Sequence, residues 1–147
     1  MRVLLFFVAI LSVEARTATF TIMGPCDESP LVEVEFNTTE QNVGELSIQI
    51  LEAEELQFLG DERGIAQIDE SPLGDDALEI ISETELKSYG WCFEVDGVQP
   101  GVYPNEVPLT EVESSIKWLY GYAHYKDGEW IAMCVPSAPE APPFICE

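Results

Sequence analysis

Residues 116–135 constrain this chain more than any other stretch. Residues 116–125 and 130–135 alternate in side-chain size, and Asp127-Gly128 between them suits the two-residue turn with positive φ that matches strand twist. A hairpin closed there sets Lys126 opposite Glu129. A regular ladder continues with His124 opposite Ile131, Tyr122 opposite Met133 and Gly121 opposite Cys134. Side chains alternate across a strand, so one face carries Trp118, Tyr120, Tyr122, His124, Ile131, Met133 and Val135. The other carries Leu119, Gly121, Ala123, Tyr125, Trp130, Ala132 and Cys134. The first face removes the larger apolar area from water and is assigned to the core.

The remaining segments supply what that core needs. Residues 17–23 and 31–36 form a second hairpin with one wet face, because Val32, Val34 and Phe36 alternate with Glu33 and Glu35. Asn42 caps a helix, Glu45 completes a capping box, and Val43, Leu46, Ile50 and Ala53 recur at helical spacing through Leu56, with Gly60 and Gly64 ending the segment. Residues 65–68 and 77–81 read as short strands around Ser71-Pro72-Leu73-Gly74. Residues 90–95 form a strand closed by the turn Asp96-Gly97, with Trp91, Phe93 and Val95 on one side and Cys92 and Glu94 on the other. The expected class is α+β: a β-grasp-like order of hairpin, then one helix packed on a mixed, mainly antiparallel sheet.

The ends of the chain indicate a compartment. Met1-Arg2, an apolar run over residues 3–11 and Val13-Glu14-Ala15 have the form of a secretory signal peptide at residues 1–15, which places the domain, residues 16–135, in a secreted or periplasmic setting. The run is too short to span about 30 Å of hydrocarbon. Four cysteines in an exported chain imply two disulfides with three connectivities. If both aromatic strand faces point at the helix, Cys92 and Cys134 share the opposite face. That favours Cys92 with Cys134 and leaves Cys26 for Cys146, stapling a Pro-rich tail, residues 136–147. Asn37-Thr38-Thr39 matches a glycosylation sequon.

Charge removes whole classes of partner. The chain has 28 acidic side chains against 6 basic ones, a net −22, and repels nucleic-acid backbones and anionic membrane surfaces. At 46% hydrophobic it still has the apolar content of a globular domain, expected as a monomer. Eighteen acids and one base, Arg63, lie between Asp27 and Glu85. A solvated coat explains them. The specific alternative is calcium held by Asp27-Glu28, Asp61-Glu62, Asp69-Glu70 or Asp75-Asp76, although no EF-hand spacing occurs.

Gly90-Trp91, Val95-Asp96-Gly97 and Ile116-x-Trp118-x-Tyr120, preceded by a helix starting at Asn42-Val43-Gly44-Glu45-Leu46, resemble the signature of the transcobalamin-like C-terminal domain family. Members stand alone in secreted bacterial proteins or close over a corrinoid as the last domain of the cobalamin carriers. The chain departs from the pattern at Asp96 and over residues 111–115. The resemblance implies a binding module. It does not imply cobalamin, because a domain with one helix lacks the separate helical partner that completes such a pocket.

No assembled catalytic group is legible: His124 is the sole imidazole, and no nucleophile elbow, phosphate loop or zinc-helix motif occurs. The expectation is therefore a non-enzymatic module with no required cofactor. Its ligand is a small molecule, a glycan or a protein. Candidate contacts are Trp91, Trp118, Tyr120, Tyr125 and Trp130, and the cross-strand pair Tyr125 and Trp130 is the best candidate for an exposed platform. The competing readings are an inhibitor-like protein presenting residues 99–108 or its tail, and a hydrolase acting through two carboxylates.

Overall fold

The structure is a computed structural model that describes residues 18–36, 42–109 and 115–146. The leader, the Asn37 sequon and residues 111–114 lie outside the described residues. The order is β1 (Ala18–Met23), β2 (Pro30–Phe36), α1 (Val43–Ala53), β3 (Phe58–Asp61), β4 (Gly64–Ile68), β5 (Leu78–Ser82), β6 (Glu85–Val95), β7 (Ser115–Lys126) and β8 (Glu129–Pro136). One sheet runs β2-β1-β7-β6-β5, with β8 also on β7, and β3 pairs with β4 in a separate two-stranded ribbon. This is an α+β fold with one α-helix on a mixed sheet. β1 lies parallel to β7, and the other pairs are antiparallel. Along one edge of β7, β1 covers residues 115–119 and β8 covers residues 121–126, so the two lie end to end.

The helix starts as its sequence dictates: Asn42 Oδ1 accepts the Glu45 N–H at 2.9 Å. It stops at Ala53, short of Leu56. Glu55 takes a left-handed φ of 57°, and the Leu56 N–H turns back to the Leu51 carbonyl. That stop hides from sequence reading because a glutamate fills the position where glycine is usual. Gly60 and Gly64 belong to the β3–β4 hairpin instead of ending the helix. Gly60 has φ 149°, and a Cβ there would overlap the Gly64 carbonyl. Gly44 lies inside α1, where a Cβ would overlap the Glu62 carbonyl, so a missing methyl group lets the helix press on this hairpin.

The core lies between the sheet and a cover made of α1 and the β3–β4 hairpin. Phe20, Ile22, Val43, Leu46, Leu51, Ile68, Ile116 and Trp118 are almost fully buried. Ser47 connects the two layers: its hydroxyl donates to the Val43 carbonyl at 2.7 Å and accepts the Trp118 Nε1–H at 2.9 Å. A second cluster of Ala77, Tyr89 and Tyr120 extends this side of the sheet and is packed by Ile145 of the tail. The tail is held by Cys26–Cys146 and by Ser137, whose backbone N–H donates to the Tyr120 carbonyl and whose hydroxyl donates to the Pro25 carbonyl.

β8 departs from the regular ladder. The Asp127-Gly128 turn forms with positive φ at both residues, and Lys126↔Glu129 and Tyr125↔Trp130 pair in register. His124 then pairs with Ala132 instead of Ile131, Tyr122 with Val135 instead of Met133, and Gly121 with Pro136 instead of Cys134. Two extra residues bulge β8, one next to Cys134, whose φ is 50°. The expected core face is therefore corrected: Ile131 and Met133 are 55% and 60% exposed. β6 begins at Glu85, five residues before the expected Gly90, because its first turns of strand are held by ion pairs that hydropathy alternation does not register.

Candidate functional site

Register places four apolar residues in one line across the sheet. Ile80 pairs with Leu86, Leu86 with Tyr125, and Tyr125 with Trp130, so β5, β6, β7 and β8 each contribute one side chain to the face away from α1. Ile80 is 67% exposed and Trp130 55%, and the Tyr125 and Trp130 rings meet edge to face at 5.3 Å. Beside the row Gly90 pairs with Gly121 and Ser88 with Ala123, so small residues leave a trough of about 190 Å³. Met133 and the Cys92–Cys134 disulfide, which joins β6 to β8, line it.

The opposite face at the same level is ionic. Glu85 Oε1 lies 2.9 Å from His124 Nε2, Glu85 Oε2 lies 3.2 Å from Lys126, and Lys87 lies 3.5 Å from Glu79 and over the Tyr122 ring. The His124 hydrogen bond, followed by the one from Lys126, holds the Glu85 carboxyl below its ordinary range. Tyr89 donates to Glu79 at 2.8 Å. Burial, reinforced by that carboxylate, pushes its phenol well above the usual value. His124 is thus a hydrogen-bonded member of a polar network that includes the Glu85–Lys126 ion pair.

The candidate aromatic residues divide between the two faces. Trp118 and Tyr120 are 2% and 1% exposed and belong to the core. Tyr120 donates to the Pro72 carbonyl at 2.8 Å, and burial pushes its phenol up to about 12. Trp91 is half-buried, donates to Ser71 Oγ at 2.9 Å and lines a separate cleft under the 98–104 loop. Tyr125 and Trp130 stand on the outer face. Ile80 and Leu86 complete the row but were not singled out from sequence, since nothing in their own stretches reveals which strands they cross. Among the described residues no three His, Cys, Asp or Glu side chains gather as a metal-ligand group.

No family model matches the chain, and no curated protein does. Among solved structures, a Ruminococcus gnavus protein described as a "putative metal binding protein" is similar at 22% identity and a TM-score of 0.45, over 73% of this chain and 99% of that one.

Proposed function

We propose that the chain is a non-enzymatic binding module of the secreted or periplasmic space, which engages its partner through the outer face of the sheet. The supporting observation is the Ile80–Leu86–Tyr125–Trp130 row. Single exposed apolar residues are ordinary on a protein surface. A contiguous row four strands wide, next to a trough and without a covering layer among the described residues, is the usual form of a contact surface. Two disulfides suit an oxidising compartment. A β-grasp-like reading, and with it the transcobalamin-like resemblance, draws support from the N-terminal hairpin, the helix after it and the parallel β1–β7 pair.

The test is quantitative capture of partner from the native extracellular milieu by the oxidised protein and by its Trp130→Ser and Ile80→Ser variants. Each variant is expected to retain the wild-type melting profile to within a few degrees and to capture at least tenfold less. Capture unchanged in both variants overturns the reading.

A further inference from the structure

The cleft beside Trp91 differs from its surroundings in charge. It measures about 390 Å³ and lies between Gly64–Ala66 of β4 and the 98–104 loop, with Trp91, Phe93 and Trp118 of β6 and β7 among its lining residues. In a chain of net −22, no carboxylate among the described residues lines it, and Arg63 is the one charged residue among those that do. The Arg63 guanidinium lies 5.4 Å from the Tyr103 ring centroid, and among the described residues no carboxylate pairs with it. The neighbouring Asp61 carboxylate is turned back to accept the Arg63 backbone N–H at 2.8 Å.

We propose that this cleft binds a small aromatic carboxylate, with its ring against Trp91 and Pro100 and its carboxylate on Arg63. The aromatic and proline lining supplies apolar contact, and the planar Arg63 guanidinium, which lies over the Tyr103 ring, suits a two-pronged bond to a carboxylate. Asp61, Glu62 and Glu106 lie beside the cleft without lining it and lower its affinity for an anion. The more distant acids are screened over about 8 Å at physiological salt, so direct contact with Arg63 carries the preference for a carboxylate. The cleft shares Trp91, Cys92 and Gln99 with the trough of the outer face, whereas Arg63, Pro100 and Tyr103 line the cleft and not the trough, so variants at Arg63 separate the two readings.

The experiment is a titration of ¹⁵N-labelled protein with 2-naphthoate and with its neutral isostere 2-naphthamide, followed by NMR on the indole N–H signals. Trp91 lines both the cleft and the neighbouring trough, so its response is assigned to the cleft by its dependence on Arg63, and Trp130 in the outer row serves as the internal control. The acid should shift the Trp91 signal and leave Trp130 in place, with a Kd at least tenfold below that of the amide. Arg63→Met should remove that preference, and Arg63→Lys should restore part of it, with dispersed spectra verifying the fold of both. Failure of Trp91 to shift at millimolar acid, equal affinity for acid and amide, a response confined to Trp130, or a preference that persists in Arg63→Met each overturns the proposal.

Discussion

At the level of residues 79–87 the two sides of one sheet carry opposite chemistry. The side that continues from the core is fitted with Glu79, Glu85, Lys87, His124 and Lys126, tied by ion pairs of 3.2–3.5 Å and by the Glu85–His124 hydrogen bond at 2.9 Å. The side away from α1 carries Ile80, Leu86, Tyr125 and Trp130. An ordinary one-layer cover predicts the reverse, with apolar residues continuing from the core and charge on the open face. The fold therefore gains little from the outer row, and the ionic side needs no further cover. Exposed apolar side chains and charged ones occupy alternate residues of the same strands.

The two disulfides, one of them crossing the outer face, should have the largest effects on stability, and among single side chains the covered side should dominate. Opening Cys26–Cys146, which closes a separation of 120 residues, should cost about 5 kcal/mol in the chain-entropy account, against about 4 for Cys92–Cys134 with its separation of 42. Denaturant midpoints of the paired Cys→Ser variants measure this, and only loss of the first should free Ile145 from Tyr89 and Tyr120 and raise dye binding there. Gly44→Ala comes next. Helix propensity alone predicts a gain of about 1 kcal/mol, but the overlap with the Glu62 carbonyl reverses the sign to a loss of about 1–3 kcal/mol. Ser47→Ala leaves the Trp118 N–H buried without its partner and should cost about 1–3 kcal/mol by thermal or urea unfolding.

The outer side should give the smaller values. Trp130→Ala removes an edge-to-face pair worth about 0.5–1.5 kcal/mol, and a larger loss would place Trp130 in the core's account after all. The smallest expected effect is electrostatic. Because the folded-state pKa of Glu85 lies below its unfolded value, its contribution is present at neutral pH and disappears as pH falls through the folded pKa. Urea midpoints at pH 7 and pH 3 should therefore differ less in Glu85→Gln than in the wild type.

The period of two in β6 and β7, and the turns at Asp96-Gly97 and Asp127-Gly128, were legible because they are local. The same alternation put Cys92 and Cys134 on a common side and paired Tyr125 with Trp130. The bulges of β8 were not legible, since they fall between the pairs Tyr125↔Trp130, His124↔Ala132 and Tyr122↔Val135, where no local residue pattern marks the extra residues. The Ile80 row and the Arg63 cleft were missed for a related reason. Each is assembled from segments that only tertiary pairing brings together, and Arg63 read in sequence is one base among acids.

The parallel pairing of β1 with β7 also orders events in time. Thr19 finds its partner only at Ser115, and Cys26 only at Cys146, so the first hairpin has an open edge until nearly the whole chain is available. Contacts of such separation slow folding, and an unpaired apolar strand waiting for its neighbour is open to wrong partners. A chain ending before β7 should therefore stay protease-sensitive, because β1 and β6 both lack the strand that pairs with them.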